Sequence, residues 1–124
     1  MNLVDSSGWL EYFADESNAD FFAPAIENVA DLIVPSISLY EVFKRVMQQR
    51  GENDALQAVA LMRQGAIVEL SASLALSAAR ISINDKIPMA DSIMLATARV
   101  FGATLWSQDS DFKNIAEVKY IAKK

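Results

Sequence analysis

Asp5, Glu41, Asp91 and Asp109 each end an apolar run or open the helix after one, and no His or Cys accompanies them anywhere in the 124 residues. That absence removes Ser-His-Asp chemistry, imidazole bases and nitrogen or thiolate metal ligation. What remains is carboxylates, hydroxyls, Lys and Tyr. Ionised carboxylates gathered at one place repel, raise one another's pKa values and destabilise the empty fold unless a cation sits among them. Oxygen-only ligation selects hard cations, with Mg²⁺ the first candidate and Mn²⁺ the second. A pair of such ions can activate a water and stabilise the leaving oxygen of a phosphodiester, a reaction that needs no histidine.

Each acid also has a purely structural explanation. Asp5 can cap the helix that follows it. Ser38-Leu-Tyr-Glu41 fits the S-x-x-E capping box, in which Glu41 would close back on the Ser38 N–H. Asp91, three residues after Pro88, can answer a helix dipole, although the apolar Ile93, Met94, Leu95, Ala96 and Ala98 behind it place it near a core. Asp109 and Asp111 flank Ser110 and can cap a short turn. The joint reading is stronger, because all four acids fall at carboxyl ends of strands or at the helix openings beyond them, positions that share one edge of a parallel sheet.

The elements needed to hold them there can be read in order. Strands are expected at Asn2 to Val4, Leu32 to Val34, Ala66 to Leu70 and Ala103 to Trp106, with a short edge strand at Val118 to Ile121. Between them, helices are expected from Ser6 or Ser7 through Phe13, over Asp20 to Val29, from Ser38 to about Arg50, and over Asp54 to Gln64, Ser73 to Ile83 and Ala90 to Phe101. Gly51, Gly65 and Gly102 follow three of these helices as terminators. Strands alternating with helices give a three-layer α/β/α fold around a central parallel sheet of about four to five strands.

Composition sets the remaining bounds. At 124 residues and 52% hydrophobic content, the expectation is a single domain over 1–124. Lys and Arg number 11 against 16 Asp and Glu, a net charge of −5, which opposes simple electrostatic adhesion to nucleic acid or an anionic membrane. No signal sequence or membrane-spanning run is visible, and the lack of cysteine fits a reducing cytosol, so a cytoplasmic protein is expected. Lys44, Arg45, Arg50 and Arg63 are candidates for a basic rim, or for an ordinary solvated helix face.

In register along the chain, VDSSGWLEYF, SLYEVFKR, MADSIMLATAR and WSQDSDF resemble the PIN-domain ribonucleases, and within them the VapC-type toxins of toxin–antitoxin pairs. The resemblance covers nearly the whole chain. It implies that Asp5, Glu41, Asp91 and Asp109 are the acidic quartet that holds Mg²⁺ and carries catalysis. Ser6 would be the small hydroxyl residue after the first acid, Ser107 the hydroxyl before the last, and Asp111 a more peripheral acid. It further implies an RNA substrate, a cognate antitoxin covering the acidic groove, and a homodimer. Trp106 and Ser107 depart from the aliphatic residue and Thr that are commoner there.

Competing readings are a non-toxin PIN nuclease of RNA processing, a phosphoacceptor or phosphatase-like α/β domain, and a nuclease-like binding module. A phosphoacceptor domain needs a Lys closing a later strand, and none follows the fourth strand. The phosphatase pattern D-x-D fails at Ser7. A binding module has no reason to keep four mutually repelling acids.

Overall fold

A computed structural model describes residues 1–124. Five strands, β1 (Asn2–Val4), β2 (Leu32–Pro35), β3 (Ala66–Val68), β4 (Thr104–Ser107) and β5 (Val118–Tyr120), form one sheet in the order β3-β2-β1-β4-β5. All four pairings are parallel, with Leu3 in register with Ile33 on one side and Leu105 on the other. Six helices connect them: α1 (Ser6–Phe13), α2 (Ala19–Glu27), α3 (Ser36–Arg50), α4 (Glu52–Met62), α5 (Ala72–Asp85) and α6 (Met89–Phe101).

The central strands read as continuous apolar runs because both faces of the sheet are covered. Leu3, Ile33 and Leu105 point to one side and pack with Leu74, Ala78, Leu95 and Ala98 of α5 and α6. Val4, Leu32, Val34 and Trp106 point to the other, against Trp9, Phe22, Val42 and Met62 of α1 to α4. Full burial of a side chain such as Phe22 contributes about 1.5–3 kcal/mol.

From β1 the chain steps through β2 to β3 with helices on one face. It then recrosses through α5 and α6 on the other face to reach β4, as right-handed crossovers in opposite directions require. The direction therefore reverses between β1 and β4. At such a point the connections diverge beyond the carboxyl ends of the strands and leave a crevice.

Several boundaries differ from those read in the sequence. The helix expected from Ser38 begins at Ser36 behind Pro35, with no side-chain cap. Ser38 is fully buried and its hydroxyl donates to Met94 Sδ at 3.4 Å, so the capping box does not form. Asp5, rather than Ser6 or Ser7, caps α1. The second helix ends at Glu27; Val29 lies in a separate 3₁₀ turn over Val29–Asp31 and is exposed instead of completing an apolar face. Strand β3 stops at Val68, at the sheet edge, where a single neighbour leaves Glu69 and Leu70 unpaired. Ser71 caps α5 by accepting from Leu74 N, so that helix starts at Ala72 and runs on to Asp85.

No helix is long and apolar enough to cross a membrane.

Candidate active site

Gly8 explains how the first acid reaches the crevice. A Cβ at Gly8 would lie 2.7 Å from the Phe22 ring and from Val4 Cγ1. Only glycine lets α1 turn this closely over β1, which places Asp5 at the end of β1 with its side chain inward. Asp5 is 3% exposed. Its Oδ1 accepts from Gly8 N and Ser7 Oγ, both at 2.9 Å, and its Oδ2 accepts from Ser107 Oγ at the end of β4. Burial pushes its pKa up to about 6, against those three hydrogen bonds, which favour the ionised form. Capping and a place in the crevice thus coincide in one residue.

Glu41 lies on α3 and accepts from Ser6 Oγ at 2.7 Å. With the capping box absent, its carboxylate is directed at the start of α1. Asp91, in the first turn of α6, is half-buried, and its pKa is pushed up to about 8. Burial is the largest cause, followed by the charge of Asp109, a hydrogen bond with Asp111, the charge of Asp5 and a hydrogen bond with Asp109. Asp109 caps the short 3₁₀ turn Ser110–Phe112 by accepting from Asp111 N at 2.9 Å, while its own N–H donates to Ser107 Oγ at 2.9 Å. Ser107 therefore links the first acid to the last.

Asp5, Glu41, Asp91 and Asp109 line a single cleft of about 400 Å³ with Ser6, Ser7 and Arg45. One oxygen each of Asp91 and Asp109, which line the cleft, and of Asp111, which does not, lie within 4.8 Å of one another. Asp111, read from the sequence as peripheral, is exposed and joins this trio, while Asp5 and Glu41 face the same cleft from outside it. The donor chemistry fits a hard divalent cation. Carboxylates this close repel when ionised, and burial together with the charge of Asp109 raises the pKa of Asp91, a strain that a cation among them would relieve.

Two features had little signal in the sequence, and Arg45 stood there only as one of four basic-rim candidates. Ser7 holds Asp5 from two residues away, which the D-S-S spacing hints at. Arg45 reaches the cleft because it lies one helical turn beyond Glu41. A polar network behind the last acid had no local signal, since its members are far apart in the chain. Asn18 Nδ2 donates to Gln108 Oε1 at 2.9 Å, Gln108 Nε2 donates to Glu11 Oε1 at 3.2 Å, and Glu11 Oε2 accepts from Asn18 N at 2.9 Å. It fixes Gln108, between Ser107 and Asp109. Of the basic rim, Lys44 instead lies 5.6 Å from the centroid of the Tyr40 ring, and neither Arg50 nor Arg63 lines the cleft.

Comparison with curated proteins gives no match. Among solved structures, the toxin–antitoxin complex from Klebsiella pneumoniae aligns with a TM-score of 0.79 at 20% identity, covering 96% of each chain. The sarcin-ricin loop cleaving toxin VapC20 from Mycobacterium tuberculosis aligns at 0.78 and 17% identity, over 94% of this chain and 95% of that one. VapBC2 from Rickettsia felis, bound to a DNA fragment from its promoter, aligns at 0.73 and 15%, over 98% and 97%. These likenesses show the fold. Residues 3–118 match the PIN domain family, and the chain belongs to it.

Proposed function

We propose that this chain is a Mg²⁺-dependent endoribonuclease, with Mn²⁺ as a possible substitute, and the toxin of a toxin–antitoxin pair. The observation that carries this reading is the approach of the Asp91, Asp109 and Asp111 oxygens within 4.8 Å, two of these acids lining a cleft with Asp5 and Glu41. Asp91, Asp109 and Asp111 would hold the cation, with Asp5 and Glu41 completing the acidic set named from the sequence. When bound, such a cation supplies Lewis-acid polarisation of a phosphodiester and lowers the pKa of water.

The chain's own residues do the positioning. Ser7, Gly8 N and Ser107 fix both Asp5 oxygens, Ser6 fixes Glu41, and the Ser107–Asp109 contact keeps the β1 and β4 sides of the cleft in step. Without a cation, burial and the charge of Asp109 push the Asp91 pKa up to about 8; a bound cation would favour its ionised form.

Toxin–antitoxin assemblies among the structural neighbours support an antitoxin partner, and VapC20, described as cleaving the sarcin-ricin loop, supports RNA as substrate. A homodimer, a cytoplasmic location and a single domain over 1–124 belong to the same reading.

Expression in a bacterium without an antitoxin tests it. The parent should arrest growth and generate new RNA 5′ ends, and Asp91→Asn, at equal protein level, should do neither. Equal arrest by both would remove the acidic cleft as the cause.

A further inference from the structure

Beside the acidic cleft runs a second groove of about 230 Å³, and Ser7, Leu10 and Arg45 line both. Its other polar walls are Glu11, Gln49, Gln108 and Lys123, and both Glu11 carboxylate oxygens already accept hydrogen bonds, from Gln108 Nε2 and Asn18 N. Arg45 and Lys123 are exposed, and neither is in an ion pair, since the chain's one pair is Arg99–Glu117. This is informative in a chain of net charge −5. Arg45 lines the acidic cleft but is within ion-pair distance of none of its carboxylates. It stands at the boundary between cleft and groove with its charge uncommitted.

The groove wall is built rather than incidental. Ile121 N donates to Ser107 O at 3.0 Å and Ala122 O accepts from Asn18 Nδ2 at 3.1 Å, which fixes the backbone on which Lys123 sits. Asn18 and Gln108 are 2% and 4% exposed, and their amides are bonded to each other. Lys44, the neighbour of Arg45 on α3, turns to Tyr40 and lines neither cavity. The positive charge facing this path is therefore local, not a general property of the helix.

We propose that this groove seats the backbone phosphates of single-stranded RNA flanking the scissile one, gripped by Arg45 and Lys123. The inference rests on the nuclease reading and extends it to how the strand is held. Arg45 offers a planar fork that matches a phosphate, whereas Lys123 adds a point charge further along. Oriented phosphate contacts also explain how an acidic protein binds a polyanion beside its own carboxylates.

The test is fluorescence anisotropy of a 2′-O-methyl oligoribonucleotide, which resists cleavage, with the parent, Arg45→Gln, Lys123→Gln, the double variant and Lys44→Gln across a salt titration. Each lost contact should reduce the salt slope by about 0.7, which is about fivefold weaker binding at ~0.1 M salt and about 25-fold for the double variant. Lys44→Gln should match the parent. Melting temperatures confirm folding, since all three residues are exposed. If Arg45→Gln and Lys123→Gln bind like Lys44→Gln while the parent cleaves RNA in Mg²⁺, the groove assignment falls and the nuclease reading stands. If the parent binds through this groove but does not cleave, the nuclease reading falls, and with it the claim that the held phosphates flank a scissile one, leaving only a single-stranded RNA site. If the parent neither binds nor cleaves, both fall, and an acidic protein segment becomes the better occupant.

Discussion

A carboxylate that is 3% exposed and accepts three hydrogen bonds, as Asp5 does, is held in place before any ligand arrives. Removing the Ser107 hydroxyl leaves that buried charge short of a partner, so Ser107→Ala should cost about 1.5–3 kcal/mol in urea denaturation at neutral pH. The raised pKa values fix the sign of a pH effect. Asp5 and Asp91 titrate at about 6 and about 8 in the fold, against an ordinary 3.8. Between 3.8 and those values the folded state binds more protons than the unfolded chain, so without metal these two groups lower stability as pH rises through that window. The metal-free parent should melt higher at pH 5 than at pH 8.5, and Asp91→Asn should reduce that difference. A steeper fall in the variant would contradict the assignment. At this scale the acids were legible because an apolar run ending in a carboxylate is a local pattern. The Ser107 link and the Asn18–Gln108–Glu11 network were not, because hydrogen bonds across some ninety residues or more leave no mark in spacing.

Among the elements, α1 is the one whose placement decides the site. Gly8→Ala would drive a methyl to 2.7 Å from Phe22 and Val4. The overpacking should cost about 1–3 kcal/mol in urea denaturation and, by lifting α1 from β1, should also slow cleavage by displacing Asp5. Unchanged activity with lost stability would separate the packing of α1 from the placement of the acid. The strands were legible because each is buried on both faces and reads as an uninterrupted apolar run. The start of α3 was misread for a physical reason. Ser38-x-x-Glu41 has the pattern of a capping box, but Pro35 already sets the entry to the helix, and tertiary contacts with Met94 and Ser6 claim both side chains. Local propensity was overridden by packing.

For the whole molecule, the reversal of strand order between β1 and β4 brings residues from β1, α3, α6 and the segment after β4 to one cleft. Charge repulsion there makes metal binding and stability one linked quantity. A cation binding only the folded state at a hundredfold excess over its Kd adds about 2.7 kcal/mol, a melting shift of several degrees for a domain of this size. Asp5→Asn combined with Asp91→Asn should lose most of the Mg²⁺ response at constant ionic strength, as read by calorimetry. The parallel three-layer architecture was foreseeable from alternating strands and helices, but the strand order with its reversal, and the membership of the closest trio, were not. Which carboxylates meet depends on the turn at Ser110–Phe112, which brings the exposed Asp111 beside Asp91.

The most direct measurement is cleavage of end-labelled total RNA by purified, antitoxin-free protein, in Mg²⁺ and in chelator, with Asp91→Asn beside the parent. Discrete fragments should form only with the parent and only in Mg²⁺, and addition of excess Mg²⁺ to the chelated sample should restore them. Cleavage that persists in chelator, or that Asp91→Asn performs as well as the parent, would contradict a metal-dependent nuclease centred on this acidic cleft.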